Sequence, residues 1–151
     1  MITRERADAL LQQLESSDLS GAPLRKRAME MLDELPGYNW SGIYALEGDT
    51  LVLDEYVGAA TDHTHIPVGR GVCGTAVAED KNQVIEDVRE LSNYLSCSAQ
   101  TRSEIVVLIR DEEGKVLGQI DIDGHQVGAF DASDEELLAR IGRVLASRWR
   151  V

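Results

Sequence analysis

The sequence predicts an α+β fold: helices first, a mostly antiparallel sheet in the middle and a long helix at the end. Three observations carry this. Apolar residues recur at helical spacing through the first 35 residues. From Trp40 the pattern changes to short apolar runs broken by turn formers such as Glu47-Gly48-Asp49-Thr50. After Ser133 the helical period returns and holds to Trp149. A chain of 151 residues is most simply one domain, long enough to bury a core without disulfide staples. It divides into a helical segment over 1–36, a sheet and pocket over 38–131, and a closing helix over 133–149.

Each element has its own local reason. Ala7, Leu10, Leu11 and Leu14 make one stripe of a helix over 3–15, which Ser16-Ser17-Asp18 breaks. Pro23 suits the first turn of a second helix over 23–35, with Leu24, Ala28, Met31, Leu32 and Leu35 as its apolar stripe and Pro36-Gly37 as its stop. Residues 40–46 and 51–58 read as a hairpin, and 59–67 as a loop holding His63 and His65. Small residues open a short helix over 71–79. A short strand at 83–85 leads into the polar loop 87–102. Strands 103–110 and 115–123 form a second hairpin joined by Asp111-Glu112-Glu113-Gly114. In the last helix Ser133 and Glu136 have the spacing of a capping box. The N-terminal helices and the long last helix are expected on one face of the sheet. The other face is left for a ligand pocket covered by 59–67 and 87–102.

Composition excludes several partners. The net charge of −12 argues against nucleic acid or an anionic membrane. No apolar run reaches the length of a membrane span, and the first residues lack a secretory-signal core. The expected location is the cytoplasm. Two cysteines there are not expected to form a permanent disulfide; they cannot form a closed zinc site without other ligands, and neither lies in a CxxC or HExxH spacing. Taken alone, each cysteine reads as a buried small hydrophobe in preference to a catalyst. His63, His65 and His125 read as surface histidines.

The second hairpin predicts an acidic cluster. If its loop has the four residues 111–114, Arg110 faces Lys115 and Glu104 lies opposite Asp121. Asp123 is then on the same face two residues on, while Ile120 and Ile122 point into the core. A one-residue slip would send Glu104 to the face opposite both aspartates. Three carboxylates so close cannot all ionise freely, so at least one pKa should rise. Without such clustering, Asp121 and Asp123 are solvent-face residues of an amphipathic strand, and Trp40 and Tyr44 are core aromatics.

Tyr38-Asn39-Trp40-Ser41-Gly42-Ile43-Tyr44, Ile66-Pro67-Val68-Gly69-Arg70-Gly71-Val72-Cys73-Gly74-Thr75-Ala76, Ile85-Glu86-Asp87-Val88, Ser103-Glu104-Ile105-Val106-Val107, Ile120-Asp121-Ile122-Asp123 and Gly128-Ala129-Phe130-Asp131 stand in this order over residues 38–131. Together they resemble the GAF-domain free methionine-(R)-sulfoxide reductases. The resemblance implies a GAF fold, usually dimeric. It also implies reduction of free methionine sulfoxide with thioredoxin as reductant, and no metal or organic cofactor. It assigns Cys97 as nucleophile and leaves Cys73 to resolve the sulfenic acid, although the roles could be reversed. The acids Glu104, Asp121 and Asp123 would supply a proton and hold the substrate ammonium, and Trp40 and Tyr44 would wall the pocket. The chain departs from the family at His63, where a third cysteine is common, and in Leu95-Ser96-Cys97-Ser98, where aspartate usually follows the cysteine. Tyr94 replaces a usual histidine and Leu108 a usual proline. Two alternatives follow from the departures: a GAF module that binds an amino-acid-like ligand without turning it over, and a thiol redox switch.

Overall fold

The computed structural model describes residues 2–92, 94 and 99–150. Two helices, α1 (Arg4–Glu15) and α2 (Gly21–Asp33), precede a hairpin of β1 (Trp40–Glu47) and β2 (Thr50–Val57). A short strand β3 (His65–Pro67), helix α3 (Gly71–Glu79), strand β4 (Gln83–Ile85) and a 3-10 turn (Val88–Glu90) follow. The chain then forms β5 (Ser103–Arg110), β6 (Val116–Gly124) and the closing helix α4 (Ala132–Ser147). The six strands make one antiparallel sheet in the order β3-β2-β1-β6-β5-β4. This is the expected α+β architecture. The expected loop over 59–67 differs in one respect: its last residues pair with β2 through Leu51–Ile66 and become the sheet edge.

Strand alternation separates two cores. Ile43, Ile105, Val107, Ile109, Ile120 and Ile122 all point to the helical side. There they meet Leu10, Leu14, Leu24, Leu32, Leu138 and Ile141 from α1, α2 and α4. Each of these aliphatic side chains stabilises the fold by about 1.5–3 kcal/mol when fully buried. The other face carries Trp40, Tyr44, Val106 and Leu108, covered by Leu51, Ile66, Val72, Cys73 and Ala76. That face is therefore roofed partly by α3, in addition to the 59–67 segment.

The register of the β5–β6 hairpin differs from the expected one. Glu104 pairs with Asp123, and Asp121 pairs with Val106. Two physical causes add. The connection between the strands spans five residues, 111–115, with Asp111 accepting from the backbone N–H groups of Glu113 and Lys115, both at 2.9 Å. A bulge between Ile109 and Arg110 then shifts the ladder by one more residue. Each shift alone would turn Glu104 to the helical core. Together they restore its face, so the acids remain on one side with altered partners.

The start of α4 also differs. Asp131, not Ser133, is the N-cap, and Asp134, not Glu136, completes the capping box. Asp131 accepts from the N–H of Ser133 at 2.9 Å, and Asp134 accepts from the N–H of Asp131 at 2.8 Å. The Tyr38 hydroxyl donates to Asp134 at 2.6 Å inside the core. Burial pushes the pKa of Asp134 up, as it does that of Tyr38, which also rises because the hydroxyl donates to this carboxylate. A buried acid that ties a tyrosine to a helix end holds the box two residues earlier than the out-of-phase Ser133–Glu136 pair.

Glycine decides how closely β6 approaches β1. A Cβ on Gly118 would overlap the carbonyl oxygen of Tyr44 and lie 3.2 Å from the Ala45 Cα. Both contacts are backbone in the sheet centre, where neither strand can retreat. Gly118→Ala should lower the denaturant midpoint by an amount equivalent to about 1–3 kcal/mol. Asp131→Ala should cost about 1 kcal/mol by the same measurement, whereas Glu136→Ala should leave the midpoint within error.

Candidate functional site

Three rows of side chains cross the central strands on the face away from the long helices. The first is Trp40–Asp123–Glu104, the second Gly42–Asp121–Val106 and the third Tyr44–Gln119–Leu108. Period-two alternation puts them on one side, and antiparallel pairing lines them up. Trp40 occupies the space that Gly42 leaves: a Cβ there would overlap its ring. Its indole N–H donates to the carbonyl of Ala59 at 2.9 Å, and its ring stacks on Tyr56 with centroids 5.6 Å apart.

A small, nearly filled cavity lies against all three rows, with about 10 Å³ open to a water-sized sphere. Tyr44, Glu104 and Asp121 form its floor, Val72 and Cys73 its α3 wall, and His63 and Arg70 its rim. The Tyr44 hydroxyl donates to the carbonyl of His63 at 2.7 Å and so ties the 59–67 segment to the sheet. Cys73 sits in the first turn of α3, whose N-terminus has no side-chain cap. The positive end of that helix faces the acids. Larger grooves exist, such as that between α4 and the Asp80–Asn82 corner, but they are open and bring no cysteine among their described lining residues.

The thiol of Cys73 approaches Glu104 Oε2 at 4.0 Å. One carboxylate oxygen of Glu104, one of Asp121 and the Cys73 sulfur all lie within 4.8 Å of one another, and two buried carboxyl groups this close favour holding a proton between them. Burial raises the pKa of Asp121, and its hydrogen bonds with Glu104 and Cys73 pull the other way. Burial wins because Asp121 is only 1% exposed. The expected rise of one carboxyl pKa is found, and desolvation is its first cause. A buried thiol beside a proton-sharing carboxyl pair combines a sulfur nucleophile with an acid.

The structure thus brings Cys73, Tyr44, Glu104 and Asp121 together. Trp40 and Asp123 share the face and the burial but do not line the cavity, and the Trp40 ring is turned over Gly42. Cys97 lies outside the described residues. His63 corrects the reading of a surface histidine, since it is half-buried and lines the cavity. Its correspondence to the family's loop cysteine was the signal that could have found it. Arg70, Val72 and Ile66 also line the cavity and were not singled out, because no pattern in the chain marks a roof residue.

The GAF domain family model matches residues 22–148. The chain is 40% identical over 130 residues to the free methionine-R-sulfoxide reductase of Escherichia coli (strain K12), a match that covers 83% of this chain and 78% of that protein. Among solved structures, the free methionine-R-sulfoxide reductase from Neisseria meningitidis in complex with its substrate superposes with a TM-score of 0.89 at 31% identity. That match covers 99% of this chain and 92% of the other. The reduced form of fRMsr of Staphylococcus aureus gives 0.87 at 34% identity, covering 99% and 100%. With a family model over most of its length and relatives of this identity, the chain belongs to the GAF-domain family of free methionine-R-sulfoxide reductases.

Proposed function

We propose that the protein reduces free L-methionine-(R)-sulfoxide to methionine in the cavity bounded by Tyr44, Cys73, Glu104 and Asp121. The observation that carries this reading is the meeting of a buried thiol with two buried carboxyl groups in one small cavity. The names of the relatives support the substrate.

The chemistry balances on thiols alone. A cysteine thiolate attacks the sulfoxide sulfur, the S=O oxygen passes to the cysteine, and a proton completes a sulfenic acid as methionine departs. The attacking sulfur is oxidised by two electrons and the methionine sulfur is reduced by two. A second thiol then condenses with the sulfenic acid, releasing water and forming a disulfide that a dithiol reductant opens. Following the family resemblance, Cys97 is the nucleophile and Cys73 the resolving thiol. Asp121, whose pKa is raised, is suited to supply the proton, and Glu104 to hold the substrate ammonium. A peptide-bonded methionine lacks that charge, which accounts for a preference for the free amino acid. Thioredoxin as the reductant, a cytoplasmic location and a homodimeric state complete the proposal. Among the described residues no helix is long and apolar enough to cross a membrane.

Incubation with the free R sulfoxide and dithiothreitol should yield methionine, and Cys97→Ser should abolish turnover. Full turnover in that variant would remove Cys97 as the nucleophile. Saturable sulfoxide binding by calorimetry with no product from the wild type would instead favour the binding module. Asp121→Asn should slow turnover yet not weaken the fold. The folded protein holds the Asp121 proton more tightly than the unfolded chain does. The wild type therefore loses stability as pH rises from the ordinary carboxylate value of 3.8 through the folded pKa. The melting temperature of Asp121→Asn relative to wild type should accordingly rise as pH is raised above about 4.

A further inference from the structure

We infer that the same cavity is a binding site for a thiophilic divalent cation, with Zn²⁺ the best match, and that the ion excludes the amino-acid ligand. The donors are Sγ of Cys73 and one carboxylate oxygen each from Glu104 and Asp121, all within 4.8 Å of one another and all buried. They are 31 and 17 residues apart in the chain, so no metal-binding motif is visible in the sequence. Bonds of about 2.3 Å to sulfur and about 2.1 Å to oxygen in a tetrahedron put S···O near 3.6 Å and O···O near 3.4 Å. The observed Sγ–Oε2 separation of 4.0 Å needs to close by only a few tenths of an ångström.

A second observation is the state of the buried acceptors on this face of the sheet. Oδ1 of Asp121 is fully buried and accepts no hydrogen bond. Oε1 of Gln119, on the same sheet face two residues away, is likewise buried with no donor, while the Gln119 amide N–H donates to the Cys73 carbonyl at 3.0 Å. This face of the sheet therefore holds two buried acceptors, Oδ1 of Asp121 and Oε1 of Gln119, that no donor meets. Such an environment is stabilised by a cation that needs no hydrogen of its own. A thiolate ligand and three protein donors select a small borderline-soft ion over Mg²⁺ or Ca²⁺, which require six or more oxygens. Binding displaces both the thiol proton and the proton shared by Glu104 and Asp121 to solvent and leaves the fourth position of the ion open.

The site itself stands on this geometry; only the exclusion of substrate rests on the proposed reductase reading. The test uses the reduced full-length chain after chelator treatment. Zn²⁺ is titrated against a chromophoric chelator, and Co²⁺ is added separately as a spectroscopic probe. One Zn²⁺ per chain is expected. Asp121→Asn and Cys73→Ser should each weaken it by at least the roughly tenfold that even outer-shell changes cost. The Co²⁺–thiolate charge-transfer band should vanish in Cys73→Ser and persist in Cys97→Ser. Undiminished Zn²⁺ affinity in Asp121→Asn, or a thiolate band that survives Cys73→Ser, overturns the site. Circular dichroism establishes that each variant is folded, and the Cys97→Ser arm keeps the test decisive if Cys73→Ser is not. Turnover is measured in parallel: tight Zn²⁺ binding by a chain that never reduces sulfoxide sinks the reductase reading alone, and turnover without Zn²⁺ binding sinks this one alone.

Discussion

The structure depends on keeping the two faces of one sheet chemically different while both are buried. On the helical side β1, β5 and β6 present only aliphatic side chains and serine, and α1, α2 and α4 close over them. On the other side the same three strands present two aromatic side chains, three acids and a glutamine, all inaccessible to water. Burying acids costs free energy unless they are hydrogen-bonded or protonated. Here the cost falls on a face roofed by one short helix and a loop, where a cavity and a proton-sharing pair can form. A face sealed by three long helices would have no room for either.

That separation rests on register. The β5–β6 ladder contains a five-residue connection and a bulge, and their shifts cancel in parity. Glu104 reaches the cavity because both are present. On the other side of the sheet, a bulge between Ile43 and Tyr44 leaves Asp54 of β2 without a partner in the ladder. Asp54 instead pairs with the guanidinium of Arg25 on α2. That guanidinium also lies 4.5 Å from the Trp149 ring centroid and donates to the Arg150 carbonyl. Irregularities in the ladder thus join the sheet both to its cavity and to its helices.

The cavity joins three kinds of positioning. Strand alternation supplies Glu104 and Asp121. The first turn of α3 supplies Cys73, and the Tyr44–His63 hydrogen bond holds the rim. Gly42 contributes by giving the Trp40 ring a place to lie, so the indole covers the sheet and leaves the cavity floor to smaller polar groups. Asp121 connects structure to chemistry: its burial favours the protonated form, and the same burial leaves one oxygen in need of a positive partner.

The sequence by itself determined the element order, the α+β class and the alternation that sets Asp121 and Asp123 on the face opposite Ile120 and Ile122. These depend on local period, and period is written in consecutive residues. Family resemblance added Cys73 and Tyr44 as pocket residues, which spacing alone left as core. Only the tertiary structure decided that Asp123 faces Glu104, that Asp131 and Asp134 cap α4, that Trp40 turns away from the cavity and that His63 lines it. Each of those outcomes is a competition between near-equivalent local choices. They are resolved by contacts with residues far away in the chain, such as Tyr38 with Asp134 and Tyr44 with His63, and no run of neighbouring residues records such contacts.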